Sequence, residues 1–292
     1  LKAGAVLRDM EFVQFYPLGW AEPGFPRWLV DLSLVDSVRV TDSRGDEFLK
    51  ETLRDWGYKD GKEGNLYARD RSARLVAQKD REGGVYAHLE DLTEEMLKDP
   101  DMQYCLGMDI SFFKDIRRPF RLTPLEHYFC GGVVIDSFGR TAVDGLYACG
   151  EVTGGVDGAN RVGGNALSNI VVFGYRAGIT AAKEGRRTTG PGGLPPSGYL
   201  HEVSEDNGQD PLALRKELQE ETWKALGPIR RTVEMERYLD LLSDFRTRKV
   251  RIKNPLGRLQ VLEMQGLYET AKAVAQAALK RKESLGTHWR ED

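Results

Sequence analysis

The stretch that decides the fold is Cys130–Gly185, CGGVVIDSFGRTAVDGLYACGEVTGGVDGANRVGGNALSNIVVFGYRAGITAAKEG. It opens on a glycine pair and an apolar run, Val133 to Ile135. A turn at Gly139 follows, then a second apolar run from Val143 to Cys149. Gly150 and Glu151 close that run. A glycine-dense loop from Gly154 to Gly164 then leads into a helix of small residues expected from Asn165 to Lys183. Glycines this close together belong where the backbone passes something with no room for a Cβ, or where φ is positive. A strand, a glycine-rich turn and a helix N-terminus bring free N–H groups to the positive end of a helix dipole, which suits an electron-rich ligand. By itself the pattern reads equally well as plain turn chemistry.

The 292 residues are enough to bury a sizeable core in two or three domains. A composition 40% hydrophobic and 30% charged is that of an ordinary soluble chain, and a net charge of −3 gives no case for nucleic acid or a membrane surface. No apolar run reaches membrane-spanning length and no signal peptide is visible, so no direct membrane segment is expected. Cys105, Cys130 and Cys149 form no CxxC pair, which argues against a metal site, whether iron–sulfur or zinc, within this chain. Cys149 reads as a core residue on a buried strand. The setting this describes is reduced and cytoplasmic.

In chain order, residues 1–19 read as a short helix end and a strand from Met10 to Phe15, closed by Pro17 and Gly19. Between Trp20 and about Arg121 the glycine-rich character disappears. Alternation over Trp28–Leu34 and Ser37–Thr41 suggests strands, with Ser43-Arg44-Gly45 as a turn. Arg69–Arg81 has the spacing of a helix with Leu75 and Val76 inward, Val85–Leu89 that of a strand, and Thr93–Leu97 that of a further helix capped by Thr93 or Asp91. TTGPGGLPPSG, within residues 187–210, has linker composition. Asp210-Pro211 and Asn254-Pro255 are helix starts, the second reaching about Lys282. Between them lies a helix over Thr232–Thr247 with Val233, Tyr238, Leu242 and Phe245 inward. The basic run Arg246–Lys253 reads as a solvated face.

GLYACGEVTGGVDGANRVGGNAL resembles the FAD-contacting segment of the fumarate reductase/succinate dehydrogenase flavoprotein family, which includes L-aspartate oxidase and, more distantly, adenylylsulfate reductase. DMEFVQFYP, YARD and EHYFCGG extend the resemblance upstream, and RKESLGTHWRED extends it to the end of the chain. It implies a fold of the α+β / α/β class: part of a glutathione-reductase-like FAD-binding domain, an inserted α+β capping domain, and a C-terminal helical domain. The divisions it implies are 1–19 and 122–186 for the FAD-binding domain, 20–121 for the capping or substrate domain, 187–210 for the linker and 211–292 for the helical domain. No GxGxxG follows a strand here, and Leu1 already lies inside the family's pattern. The chain is therefore expected to be the C-terminal part of a larger flavoprotein, and to hold FAD weakly alone.

The same resemblance implies the site. Gly150 and Glu151 would meet FAD, Glu151 through sugar or ribityl hydroxyls. The helix start at Asn165, with the amides of Ala166, Leu167 and Ser168, would face the flavin N1–C2=O edge and stabilise the anionic reduced ring. His127 and Arg161 correspond to residues that bind substrate carboxylate, and Arg69 to the Arg proposed as proton donor, with Asp31 as its relay acid. From the residues alone His127 and Arg161 are also readable as core or surface-pair groups, and Arg69 as a partner of Asp70. The departures from the family lie at Tyr16, Leu18, Val30 and Leu34, where a His, two hydroxyls and a relay Arg are expected. All four subtract polarity, and they imply a substrate with one charged and one apolar end.

The activity implied is that of an FAD-dependent oxidoreductase moving hydride between flavin N5 and a C–C bond of a carboxylate-bearing small molecule. Electrons would come from an iron–sulfur partner subunit, through which the protein could also sit at the periphery of a membrane. The alternative is an electron-transfer or scaffold flavoprotein subunit of a redox complex with no dicarboxylate substrate of its own.

Overall fold

In the computed structural model, which describes residues 3–185, 203–204 and 207–292, the chain begins with β1 (Leu7–Arg8), β2 (Val13–Trp20), β3 (Leu29–Val30) and β4 (Val40–Asp42). Next come α1 (Phe48–Asp55), α2 (Gly61–Tyr67), α3 (Arg69–Arg81), β5 (Val85–His88), α4 (Pro100–Leu106) and β6 (Pro119–Phe129). After these run β7 (Gly132–Val134), β8 (Thr153–Gly154) and α5 (Asn165–Glu184). The last elements are β9 (Val203–Ser204), α6 (Pro211–Leu226), α7 (Thr232–Thr247), β10 (Val250–Arg251) and α8 (Pro255–Lys280). Most of the linker expected over 187–210 lies outside the described residues. The chain divides into two units. One comprises Val13–Phe129 with Asn160–Asn165, and the other Leu1–Phe12, Cys130–Ala159 and Ala166–Asp292.

The unit built on Val13–Phe129 is an antiparallel five-stranded sheet in the order β3-β2-β6-β5-β4. Its longest ladder joins β2 to β6, from Val13 opposite Phe129 to Trp20 opposite Leu122. Every residue of β2 is buried, so the strand is covered on both faces. Pro17 does not end it, contrary to expectation. The ladder slips between Tyr16 and Gly19, and a proline that cannot donate to a ladder is tolerated at such an irregularity. Helix α3 packs across β2 and β6. It turns Ser72, Ala73, Val76 and Ala77 inward, as its spacing predicted around Val76. Trp20 sits at the centre of the core against Phe113 and Phe120, and its indole N–H donates to the Leu106 carbonyl at 3.0 Å.

Two local expectations in this unit give way. Leu32–Asp36 forms a 3-10 turn rather than a strand, because the Asp31 side chain accepts the Ser33 N–H and caps it. Thr93 likewise caps only a short 3-10 turn, Met96–Lys98.

The second unit contains a three-stranded sheet, β1-β7-β8, and the helices α5 to α8. The run from Val143 to Cys149 is not a strand. Gly145 at φ 77° folds it back, with Thr141 N–H bonded to the Leu146 carbonyl, and only an isolated bridge joins Arg140 to Tyr147. Cys149 is consequently exposed rather than buried. The far end of α5 is tied to this hairpin by Glu184, which pairs with Arg140 and accepts from the Tyr147 hydroxyl at 3.0 Å.

Helices α6 and α8 start where Asp210-Pro211 and Asn254-Pro255 predicted, each capped by its Asx side chain. In α7, Met235 is buried in place of Val233, which is exposed; Tyr238, Leu242 and Phe245 are inward as expected. Arg230, fully buried, donates to the Glu11 carbonyl at 2.7 Å and meets His288 Nδ1 at 2.8 Å, while Arg281 pairs with the Glu11 carboxylate at 2.5 Å. Among the described residues no helix is long and apolar enough to cross a membrane.

Gly107, the left-handed cap of α4 at φ 71°, tests the packing of the sheet unit. A Cβ there would run into the Leu29 carbonyl and the Trp28 ring, whereas at Gly57, φ 87°, it would meet open space. Gly57→Ala should cost about 1 kcal/mol for its left-handed backbone, and Gly107→Ala at least about 2 kcal/mol more for the collision. Thermal melting of the two variants against the parent checks this, and equal losses would contradict the packing of α4 on β3.

Candidate active site

Two arginines organise the candidate site of the sheet unit. Arg161, 8% exposed, lies in the glycine-rich loop; Arg69 opens α3 and is half-buried. Asp70, the local partner available to Arg69 in the sequence, pairs instead with Arg74 one turn along α3 at 2.9 Å. Neither guanidinium of the site has a carboxylate within ion-pairing distance among the described residues. The side-chain partners of Arg161 are neutral: Gln14 Oε1 and His127 Nε2, both at 3.0 Å from Nη2, and the face of Tyr128 at 4.2 Å. Its Nε has no partner at all. Arg69 donates to the Asn65 amide oxygen at 3.3 Å and lies over the Tyr16 ring at 4.9 Å. Two largely desolvated cations without a counter-charge favour an anion beside them.

The β2–β6 ladder sets the rest. Gln14 and Tyr16 on β2 and His127 on β6 come from neighbouring strands, with Tyr16 edge-on to His127 at 5.2 Å. Gln14 also donates to Asn160 Oδ1 at 2.8 Å and to the Arg161 carbonyl at 2.9 Å, which fixes the loop carrying Arg161. Arg161 donates to His127 Nε2, which requires that nitrogen to be unprotonated and the ring neutral. Burial, with Arg69 and Arg161 beside it, lowers the His127 pKa to about 4.

Asp31 does not touch Arg69. One of its oxygens accepts from the Tyr16 hydroxyl at 2.9 Å and from the Asn65 amide at 2.8 Å; the other accepts from the Ser33 backbone. Asn65 also donates to the Tyr16 hydroxyl at 2.8 Å. The direct relay from Asp31 to Arg69 implied by the sequence is therefore interrupted by an amide. Burial, reinforced by Asp31, raises the Tyr16 pKa well above its usual value, so its hydroxyl stays neutral and acts as a donor. Burial also lowers the Arg69 pKa, with Arg161 acting in the same direction.

Arg69, His127, Arg161 and Asp31 thus fall in one neighbourhood. The altered positions do not: only Tyr16 reaches the site, while Leu18, Val30 and Leu34 are fully buried in the hydrophobic core. They form no wall of the cavity between Arg69 and Arg161, which measures about 30 Å3 and is bordered by Gln14, Leu66, Tyr67, Asp70, Asn160 and Gly163. Gln14, Asn65 and Asn160 are site residues that the sequence reading missed. For Asn65 a signal existed: Asp60 and Glu63 announce a helix start, and Asn65 lies four residues before Arg69.

Of the remaining implied residues, Gly150, Glu151, Ala166, Leu167 and Ser168 belong to the second unit, while Asn165 is the last residue of the sheet unit. Gly150, at φ 79°, opens a 3-10 turn that holds the exposed Glu151. Gly164, at φ 84°, leads into α5, where Asn165 and Ala166 are half-buried and Leu167 and Ser168 exposed. The first-turn amides of a helix have no intrahelical partner. Asn169, 3% exposed, has both side-chain amide atoms unpaired one turn further on. A positive-φ glycine, free helix amides and an orphaned polar side chain fit a segment that contacts a large polar cofactor.

The uncompensated arginines make His127 a reporter. Its depressed pKa means that the folded protein binds fewer protons than the unfolded chain between about pH 4 and 6.5. His127 therefore contributes stability above that window that is lost as pH falls through it. Its NMR titration midpoint should lie near 4, rise in Arg161→Gln, and rise when a carboxylate binds. A midpoint at or above 6.5 in the free protein would contradict a site of unpaired cations.

Comparison with known proteins places these residues in a lineage. A family model described as FAD binding domain matches residues 1–167, and one described as Fumarate reductase flavoprotein C-term matches residues 215–292. Over its whole length the chain is 34% identical to one of the subunits of the fumarate reductase (CoM/CoB) of Methanothermobacter marburgensis, covering 55% of that protein. It is 28% identical to L-aspartate oxidase of Yersinia pestis, over 99% of this chain and 54% of that one. Among solved structures, Mycobacterium smegmatis Sdh1 in complex with UQ1 matches 100% of this chain and 51% of its own, with TM-score 0.77 and 27% identity. The chain spans about half the length of the curated relatives it matches. With both ends of its sequence matched and its sheet and helices superposed, the chain belongs to the FAD-binding flavoproteins of the fumarate reductase and succinate dehydrogenase type.

Proposed function

We propose that the protein is an FAD-dependent oxidoreductase that transfers hydride between flavin and a C–C bond of a carboxylate-bearing substrate. The observation that carries this reading is the pair Arg69 and Arg161, two guanidiniums on one cavity whose lining carboxylate, Asp70, is engaged by Arg74 and by neither of them. A carboxylate entering there supplies the missing counter-charge. Gln14 and His127 hold Arg161 by neutral contacts, so its charge remains available to the ligand. Arg69, whose hold on its proton burial weakens, is the group assigned to protonate the carbon beside the one that gains hydride.

Gly150, Glu151 and the start of α5 from Asn165 to Ser168 are the residues assigned to FAD, which when bound supplies a two-electron carrier at N5. The amides of Ala166, Leu167 and Ser168 would stabilise negative charge on the reduced ring through the helix dipole. Cys105 and Cys130 are buried and the three cysteines lack cluster spacing, so in this reading electrons arrive from a separate redox partner, an iron–sulfur subunit.

The test uses the flavin-loaded full-length protein, reduced under anaerobic conditions and mixed with α,β-unsaturated carboxylates. Reoxidation by such an enoate is expected. Arg161→Ala should reduce kcat/KM by at least about a hundredfold, roughly 3 kcal/mol, with flavin retained. No reoxidation by any enoate would point to an electron-transfer or scaffold subunit instead. A loss under tenfold in Arg161→Ala would remove that residue from the site.

A further inference from the structure

Arg161 lies on a short piece of chain with little stiffness of its own. Gly158, at φ 63°, precedes residues 159–162, and Gly163 and Gly164 follow them, the latter at φ 84°. Glycines at both ends leave such a segment free to swing unless something outside grips it. Within the sheet unit the grip is Gln14, which donates to Asn160 Oδ1 and to the Arg161 carbonyl. Ala159 belongs to the other unit, where the C-terminal tail holds its carbonyl. The Thr287 backbone N–H donates to that carbonyl at 3.0 Å and the Thr287 hydroxyl at 3.2 Å.

The tail is shaped for this contact. Leu285 and His288 exchange both backbone hydrogen bonds, at 2.8 and 3.0 Å, which makes Gly286 and Thr287 the two residues of a tight turn. Gly286 sits at φ 54°, and a Cβ built on it would run into the Ala159 carbonyl and stand 2.8 Å from the Ala159 Cβ. Only glycine allows so close an approach. The turn is anchored from behind by the fully buried Arg230. Its backbone N–H donates to the Trp289 carbonyl, its guanidinium to His288 Nδ1, and its carbonyl accepts from the Glu291 N–H. Arg290 adds bonds to the carbonyls of Ala278 and Arg281 at the end of α8. Thr287 itself is buried, so water competes little for the Ala159 carbonyl.

We propose that Gly286 and Thr287 position Arg161: by holding Ala159, the turn fixes the chain two residues before the guanidinium and so sets that guanidinium at the cavity. The positioning rests on the reading of Arg161 as the anchor of a substrate carboxylate, but it is measured without turnover. The coupling runs through the chain itself, because a single residue separates Ala159 from Arg161. A group that must meet a ligand in one geometry needs its own backbone held by a layer of contacts behind it. Gln14 supplies that layer on one side of Asn160 and Thr287 on the other.

The experiment follows the His127 NMR titration in the oxidised full-length holoenzyme carrying isotope-labelled histidine. Arg161 donates to His127 Nε2, so a displaced Arg161 lets the ring take up a proton more readily. In Gly286→Ala the His127 midpoint should rise by at least about half a pH unit. Thr287→Val, which removes the hydroxyl bond and keeps the shape, should move it by a smaller step in the same direction. Asp292→Asn removes the ion pair with Arg290 at 2.8 Å, elsewhere in the tail, and should leave the midpoint unmoved. With an enoate that reoxidises the reduced parent, KM should rise at least about fivefold in Gly286→Ala. A His127 midpoint equal to the parent's, an equal shift in Asp292→Asn, or an unchanged KM would each overturn the positioning. Should Gly286→Ala not fold, Thr287→Val decides it by the same midpoint. If the midpoint moves as expected while the reduced flavin is oxidised by no enoate, the positioning stands and the oxidoreductase reading fails.

Discussion

The site depends on the hydrogen bonds by which Tyr16 and Asn65 together take up one oxygen of Asp31, at 2.9 and 2.8 Å. Asp31 is the only acid of the inner cluster that lacks a cation within ion-pairing distance among the described residues. Had it reached Arg69, the two would have cancelled, as Asp70 and Arg74 do nearby. With neutral donors satisfying Asp31 and only Asn65 touching the guanidinium nitrogen of Arg69, the cation stays uncompensated. The same neutral capture is repeated at Arg161 by Gln14 and His127. Desolvated charges without partners cost stability, and folds keep them where a ligand will pair them. Around the pair the scaffold is closely packed: β2 is buried along its length, β6 lies beside it, and α3 packs across both.

His127 follows from this arrangement. A histidine among carboxylates would be held charged, whereas this one is held neutral first by burial and then by the two unpaired arginines beside it, as the fall of its pKa to about 4 expresses. It is therefore an acceptor that positions Arg161 rather than a proton source in the free protein. Tyr16, where the family pattern has His, is neutral for the opposite reason, its proton retained by burial and by Asp31. Neither ring carries charge near neutral pH, which leaves the two arginines to define the field of the cavity.

Much of this was legible in the sequence where the signal was local. The Asx-Pro starts of α6 and α8, the 3.6-residue spacing of α3 and the small-residue run of α5 each depend on nearby residues only, and each lies within a few positions of where those residues put it. Arg69, His127, Arg161 and Asp31 follow from a family resemblance, and the structure gathers them. What failed depended on distant partners. Leu18, Val30 and Leu34 fall at pocket positions of the family pattern, but here their side chains lie in the core, and position in a pattern does not say which side is wet. Val143–Cys149 reads like a strand until Asp144-Gly145 turns it, and Cys149 then faces solvent. The helix that carries Asn65 was announced by Asp60 and Glu63, but its role between Asp31 and Arg69 was not, because tertiary folding brings those two together.

The most direct measurement is where an anion settles. Crystals of the full-length holoenzyme soaked in bromide and measured at the bromine absorption edge would reveal it by anomalous scattering. A peak within hydrogen-bonding reach of both Arg69 and Arg161 is the expected result. Guanidiniums closed by a protein carboxylate, with bromide found elsewhere, would contradict the claim that two uncompensated arginines form the substrate site.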